Sequence, residues 1–237
     1  MISPAAHRDT REALHSVAAH VLARRRYESA GRFGLRATPG GFGTPTFGLQ
    51  FEVVRTAGRA LVHEVGGKVR TMPINGSTLR QLSSFVGTDL EAEFSAGGGT
   101  PALGDADGEI RLDSGAASRM AEWFALGWKV LDGFIFGLGP EADAATIQLW
   151  PEHFDAGSNV ALPTGSRANI GFSPGDAFEP EPYAYFGPWG NERPGDPSYW
   201  NAPFGALIRS SEILKADNPI QRAVDFLNEG ARNTAGS

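Results

Sequence analysis

One histidine and three carboxylates in the second half of the sequence have the residue types needed for acid–base chemistry. They are His153, Asp155, Asp176 and Glu181. If the strands that carry them pair through short connections, the four side chains converge near the strand ends. A carboxylate beside His153 would hold the ring in one tautomer, as a general base requires. An imidazole with two or three carboxylates can also bind a divalent metal.

The same four residues also have an ordinary structural interpretation. An aspartate that follows a Pro-Gly pair, as Asp176 does, often accepts hydrogen bonds from the backbone of a turn, and Asp155 could do the same. His153 could bond a neighbouring backbone group, and residues 179–182 could be a stiff connection. The sequence leaves both interpretations open and specifies neither a metal site nor a cofactor.

Aromatic residues are dense in the same part of the chain, and they suggest a second kind of site. Five of them could form a platform for a small or planar ligand: Trp150, Tyr183, Tyr185, Trp189 and Trp200. Side chains alternate along a strand, so Tyr183 and Tyr185 share one face. The alternative is that these rings fill a core or a protein interface.

Other patterns that would indicate a particular chemistry are absent from the sequence. There is no His-Glu-x-x-His, no Gly-x-Ser-x-Gly and no phosphate-binding Gly-Lys-Ser/Thr. His7, His15 and His20 are spaced by eight and five residues, so they form no i, i+4 ligand pair. His63 alternates on a predicted strand, where we expect it to be exposed or a satisfied core group.

Composition excludes several classes of function. With no cysteine, disulfides, thiolate-bound metals and thiol catalysis are impossible. The net charge of −6 disfavours nucleic acid as a partner, because phosphate binding needs a basic surface. The one basic run, residues 24–26, lies at a predicted helix end, where it complements the negative helix terminus.

The sequence predicts a soluble, cytoplasmic protein. The first ten residues contain three charged or titratable side chains and no apolar run, so we expect no signal peptide. The most apolar segment, residues 123–138, is interrupted by Lys129 and Asp132 and is short for a membrane span, so no membrane partner is expected. Abundant arginine, alanine and glycine are typical of a bacterial protein from a high-GC genome.

Hydrophobic periodicity predicts an α+β fold, with antiparallel sheet packed against a long buried helix at residues 114–138. Further helices are expected at residues 4–26, 77–86 and 219–229. Strands are expected at residues 32–37, 47–54, 60–65, 68–72, 145–150, 158–162, 167–173, 182–186 and 205–208, with a turn-rich loop at 38–45.

We interpret residues 1–237 as a single domain. The glycine-rich stretch at residues 95–108 is the one place where the chain could divide, which would leave lobes at residues 1–94 and 109–237. The first half supplies several strands but little helical cover, which favours one continuous core over two independent lobes.

Four short motifs resemble those of a family of uncharacterised bacterial proteins. They are TPGGFGT at residues 38–44, LWPEHFD at 149–155, GFSPGD at 171–176 and EPYAY at 181–185. The Phe-Asp and Pro-Tyr-x-Tyr elements are also distantly similar to a domain family of unknown function. Neither resemblance implies a reaction, a substrate or a cofactor.

The residues themselves therefore favour a small-molecule-binding protein. An enzyme that uses His153 and the nearby carboxylates is one form of this prediction. The alternative is a structural or protein-interaction domain without a catalytic site. The oligomeric state is not specified by the sequence.

Overall fold

The computed structural model describes residues 3–162 and 165–235, and it confirms a mixed α+β fold. A π-helical segment at Ala18–Ala23 joins the first two helices, and a single 3-10 turn lies at Pro140–Ala142. The α-helices are α1 (Pro4–Val17), α2 (Arg24–Ala30), α3 (Leu79–Val86), α4 (Ser114–Leu138), α5 (Ser210–Ile213) and α6 (Pro219–Ala235).

The strands form two five-stranded antiparallel sheets. The first sheet has the order β1-β2-β3-β4-β5 and the second has the order β10-β9-β8-β7-β6. The strands are β1 (Arg36–Thr38), β2 (Gly41–Gly43), β3 (Val53–Ala57), β4 (Ala60–Val65), β5 (Lys68–Pro73), β6 (Gln148–Trp150), β7 (Asp155–Ala161), β8 (Arg167–Ser173), β9 (Tyr183–Pro188) and β10 (Ala206–Arg209).

The chain is divided between two compact units. The first contains the residues up to Ala125 together with Leu149–Phe154, and the second contains Leu126–Gln148 and the chain from Asp155 onward. The division runs through α4 and does not fall at residues 95–108. Whether the units behave as one domain stays a prediction.

The start of the first helix follows from local chemistry. Ser3 is extended, and its hydroxyl accepts a hydrogen bond from the backbone amide of Ala6, while Pro4 occupies the first helical position. The predicted helix continues four residues beyond Arg26 to Ala30, and Gly31 ends it with a left-handed φ of 63°. The π-helical segment within it was not predicted.

The predicted loop at residues 38–45 contains a strand, so this part of the sequence interpretation is wrong. Gly41 and Gly43 lie in β2, which pairs with β1 and with β3. A Cβ atom at Gly41 would lie 2.8 Å from the carbonyl oxygen of Thr56, and one at Gly43 would lie 2.8 Å from the Cα of Arg55. The glycines are therefore explained by close approach of two backbones, which the sequence cannot distinguish from a turn.

Helix α4 has the predicted bounds, and most of its predicted apolar face is buried. Asp113 caps the helix by accepting a hydrogen bond from the amide of Ala116 at 2.8 Å. Trp128 follows Phe124 by four residues on the same helix face but is only half-buried. The residues of this face that are buried are Met120, Trp123, Phe124, Leu131 and Phe134.

An aromatic cluster lies at the centre of the first unit. The rings of Phe42, Phe124 and Phe154 meet edge to face, with centroids 5.1–6.2 Å apart, and His15 stacks on Phe154 at 5.3 Å. All three phenylalanine side chains are at most 2% exposed. Phe154 takes a left-handed φ of 57°, a backbone strain that burial of its ring offsets.

Within the described residues, the structure contains no helix both long enough and apolar enough to cross a membrane.

Candidate functional site

The structure places the four predicted acid–base residues in different surroundings. His153 belongs to the first unit, and its side chain is exposed. Asp155, Asp176 and Glu181 belong to the second unit. Each of these carboxylates accepts hydrogen bonds from its own set of neighbours, described below, and the three have different roles.

Asp155 and Asp176 each accept a hydrogen bond from a tyrosine hydroxyl of β9. Tyr185 donates to Asp155 Oδ2, and Tyr183 donates to Asp176 Oδ2 at 2.6 Å. Burial, and then the nearby Asp155 carboxylate, raise the pKa of Tyr185, while burial and Asp176 raise the pKa of Tyr183. Both hydroxyls therefore stay protonated and act as donors at neutral pH.

Asp176 and Glu181 also hold local backbone structure. Asp176 Oδ1 accepts from the amides of Phe178 and Glu179 at 2.8 and 2.9 Å, which is the turn geometry expected after a Pro-Gly pair. Glu181 accepts from the amide of Ser211 at 2.6 Å, at the start of α5. Burial alone would raise the pKa of Glu181, but the hydrogen bonds from Ser211 lower it.

The five predicted platform aromatics divide between the two units and between two groups of neighbours. Trp150 lies in the first unit, half-buried in β6. Tyr183 and Tyr185 both contact the ring of Phe204, at 6.4 and 6.2 Å. Trp200 contacts Phe186, whose side chain alternates to the opposite face of β9.

Trp189 is the most exposed of the predicted platform residues in the second unit. Its side chain is 55% exposed, and its indole nitrogen donates to Asn169 Oδ1 at 2.9 Å. The guanidinium of Arg167 lies over the ring, 5.5 Å from its centre. Trp189 therefore has polar neighbours of its own, apart from the rings of Tyr183 and Tyr185.

No group of three or more His, Asp or Glu side chains is placed to hold a metal ion within residues 3–162 and 165–235. A metal site at His153 and the carboxylates thus gains no support from the geometry.

A pocket of about 490 Å³ lies within the first unit. One wall consists of His20 in the π-helical segment and Arg24 at the start of α2. The other walls come from residues between Leu90 and Leu103, a segment that includes the glycine-rich stretch predicted as a linker. The volume is in the range of small-molecule sites in proteins.

Arg24 is the charged group of this pocket, and its guanidinium is incompletely bonded. The residue is 3% exposed, and its Nη2 donates to the carbonyl oxygen of Ala92. Its Nε is buried without a hydrogen-bond partner. The nearest carboxylate oxygen, of Glu28, lies 3.9 Å away, and Glu28 itself accepts a hydrogen bond from the hydroxyl of Thr88. Arg26 Nε is also unpaired, but Arg26 does not line the pocket.

His20 contributes a neutral ring to the pocket. Its Nε2 lies 2.8 Å from the carbonyl oxygen of Pro101, which can only accept, so Nε2 carries the proton. Burial, and to a smaller extent the charge of Arg24, lower the pKa of His20. At neutral pH the ring is therefore uncharged, and Nδ1 is its acceptor atom.

The glycine-rich wall of the pocket rests on the segment that carries His153. A Cβ atom at Gly99 would lie 2.7 Å from His153 Nδ1 and 2.8 Å from the carbonyl oxygen of Glu152. A Cβ atom at Gly97 would lie 3.2 Å from Glu152 Cγ. Glu152 is 9% exposed, and its Oε2 is buried without a hydrogen-bond partner. Glu152 and His153 thus form the support for this wall.

We expect Gly99→Ala to displace the pocket wall, whereas Gly98→Ala leaves it in place. The added methyl group at Gly99 meets both the His153 ring and a rigid backbone carbonyl, while nothing lies within 4 Å of a Cβ at Gly98. The expected cost of the Gly99 variant is about 1–3 kcal/mol, the usual range for overpacking. Amide hydrogen exchange at Ala96, Gly97 and Thr100 measures the change, and equal protection in the two variants would contradict the packing.

Sequence reasoning identified the segment around His153 but missed Arg24 and His20. The basic run was interpreted only as a complement to the helix end. One signal was available: Val17, His20 and Arg24 follow one another at spacings of three and four, so two polar side chains continue an apolar helix face. A polar residue on a buried face needs a partner, and here that face borders a pocket.

Comparison with protein-family models, curated proteins and solved structures finds no significant match to the chain.

Proposed function

We propose that this protein binds a small organic molecule in the pocket lined by His20, Arg24 and residues 90–103. The observation that carries the proposal is the placement of the Arg24 guanidinium and the neutral His20 ring in one wall of a pocket of about 490 Å³. A concave site with a few placed polar groups is the usual form of a small-molecule site.

Other features of the pocket also support binding. The ring of Phe94 lies 5.4 Å from the guanidinium carbon of Arg24 and offers an apolar surface beside the charge. Glu152 and His153 pack against the glycine-rich wall and support it.

Binding is better supported than catalysis by His153. A carboxylate beside His153 would hold the ring in one tautomer for general-base work. Asp155 accepts a hydrogen bond from Tyr185, Asp176 holds a turn, and Glu181 accepts from the amide at the start of α5. These contacts give each carboxylate a structural role, which favours a binding function.

The proposal is tested by titrating ¹⁵N-labelled protein with a mixed set of neutral, anionic and cationic fragments. At least one fragment should bind saturably and shift the amide signals of Gly97, Gly98 and Thr100. Ala102→Trp places a large ring at the pocket wall and should weaken that binding at least tenfold. Ala30→Trp, at the exposed end of α2, is the matched control and should have no effect.

Two results would contradict the proposal. One is a set in which no fragment shifts these three amides. The other is a fragment whose affinity is unchanged by Ala102→Trp, because such a fragment binds outside the pocket.

A further inference from the structure

His63, in β4, lies at the centre of a chain of hydrogen bonds in the first unit. Its Nε2 is 2.8 Å from Oε1 of Glu52, which directly precedes β3, and its Nδ1 is 2.8 Å from Nη2 of Arg70 in β5. His63 and Glu52 are 4% and 6% exposed. A buried imidazole therefore bridges a carboxylate and a guanidinium.

The two partners of His63 require its ring to be neutral. Burial alone would raise the pKa of Glu52, but the hydrogen bonds from Arg25 and His63 lower it, so the carboxylate is ionised and can only accept. Nε2 therefore carries the proton of the ring. A guanidinium can only donate, so Nδ1 must offer its lone pair to Arg70.

Arg25 and Arg70 extend the chain of hydrogen bonds to the C-terminal end of α3. Arg25 donates to both carboxylate oxygens of Glu52, at 2.7 and 2.9 Å, and to the carbonyl oxygen of Gly87 at 3.2 Å. Arg70 Nη2 also donates to the carbonyl oxygen of Phe85 at 3.1 Å. The last carbonyls of a helix have no partner within it, and α3 has only eight residues, so both guanidinium groups stabilise its end.

A second proton on the ring would change the balance of charge around it. The charged groups that face the ring are Glu52 and Arg70; Arg25 of α2 binds Glu52, and α3 places the ring of Phe85 at 6.1 Å. One carboxylate thus faces two cations when the ring is neutral. A proton on Nδ1 would add a third cation and would point an N–H at the N–H of Arg70. Arg70 is exposed, so its guanidinium can move into solvent.

We propose that His63 is a pH-sensitive switch, in which protonation of Nδ1 displaces Arg70 and releases the C-terminal end of α3. Histidine is the side chain whose charge ordinarily changes between pH 5 and 8, so the switch should operate in mild acid. The chain leaves α3 at Gly87 and three residues later reaches Leu90, where the segment that lines the pocket begins. Release of the helix end should loosen this wall and weaken binding, a consequence that rests on the proposed function.

The test follows the His63 ring and the end of α3 in the ligand-free protein between pH 7.5 and pH 5. The ¹⁵N signals of the ring should show that Nδ1 gains a proton. Over the same range, the amide-exchange protection of Gly87 and Thr88, corrected for the intrinsic pH dependence of exchange, should fall at least threefold. Both amides donate to carbonyl oxygens of Ser83 or Ser84, so they report on the helix end.

Variants separate the switch from the other groups that titrate in this range. The side chain in His63→Gln can donate to Glu52 and accept from Arg70 but gains no proton, so protection of the helix end should change by less than 1.5-fold. Arg70→Gln should leave the helix end equally weakly protected at both pH values. His7→Gln, which removes a histidine of α1 outside the chain of hydrogen bonds, is the matched control and should respond as the wild type does. Circular dichroism confirms the fold of each variant.

Three results would overturn the switch. The first is a His63 ring that is still neutral at pH 5. The second is a protonated ring with unchanged protection of Gly87 and Thr88. The third is an equal loss of protection in His63→Gln, which would show that another group causes it.

Binding measurements separate the switch from the proposed function. At pH 5.5, a fragment that binds the pocket should bind the wild type at least threefold more weakly than it binds His63→Gln, since His20 titrates alike in both proteins. Equal affinities would show that the switch does not regulate the pocket, while binding itself would stand. If no fragment binds at any pH, the proposed function is wrong, and the ring and exchange data still decide the switch.

Discussion

Phe124→Ala should lower the free energy of unfolding by about 3–5 kcal/mol, the usual cost of removing a buried phenylalanine ring. Phe124 is fully buried in α4 and contacts the rings of Phe42 and Phe154 edge to face. The variant loses both contacts and leaves a cavity that the rigid surroundings fill only in part. Urea denaturation followed by circular dichroism measures the loss.

Phe136→Ala is the matched control for this prediction. Phe136 is in the same helix but is 87% exposed, so its removal should change the stability by less than about 0.5 kcal/mol. Similar unfolding free energies for the two variants would contradict the placement of the aromatic cluster in the core.

The stability of the protein should also fall as the pH falls from about 6.5 to about 4, because His15 is half-buried in its neutral form. Burial lowers the pKa of His15 to about 4, and a hydrogen bond from Nε2 to the carbonyl oxygen of Pro151, 2.9 Å away, opposes that shift only in part. The unfolded chain binds the proton near the ordinary pKa of about 6.5.

The direction of this pH dependence follows from the number of protons that the folded and unfolded states bind. Between about pH 6.5 and pH 4 the unfolded state carries a proton on His15 that the folded state lacks, so acid favours unfolding. The contribution of the neutral His15 ring to the free energy of unfolding is fully present above about pH 6.5. It is lost progressively as the pH falls to 4. With the ring partly exposed, we expect a loss of about 2–3 kcal/mol.

Comparison with His15→Phe isolates this contribution from the carboxylates that titrate in the same range. The substituted ring can still stack on Phe154 but cannot bind a proton, so the variant should show a flatter decline in unfolding free energy between pH 7 and pH 4. Parallel stability profiles for the two proteins would show that His15 is not buried as a neutral ring.

Regular periodicity was the most informative feature of the sequence. The apolar face of α4 and the alternation in β8 gave the correct bounds for both elements, because each depends only on residues within it. The glycines were less informative. Gly41 and Gly43 allow two strands to approach closely, but in the sequence they resemble the glycines of a turn. Whether a glycine lies in a turn or at a close approach of two strands depends on tertiary contacts, which a local sequence pattern does not contain.

The candidate pocket was beyond sequence reasoning for the same physical reason. Its wall at Gly97 and Gly99 is held by Glu152 and His153, more than fifty residues further along the chain. His153 was identified by its chemistry as an acid–base group, yet its contact with Gly99 gives it a structural role in the pocket wall.

The sequence left two states open for His63, exposed or a satisfied core group. The structure matches the second, because His63 is buried and bonded to Glu52 at 2.8 Å.

The position of Leu149–Phe154 in the first unit has a consequence for the order of events during protein synthesis. The ring of Phe154 completes the aromatic cluster with Phe42 and Phe124, and Glu152 and His153 support the pocket wall. The ribosome synthesises this segment only after all of α4. Until then, the core of the nascent first unit is incomplete. Residues 3–125 alone lack a piece of their own interior, and we expect chaperones to recognise that exposed apolar surface until Phe154 arrives.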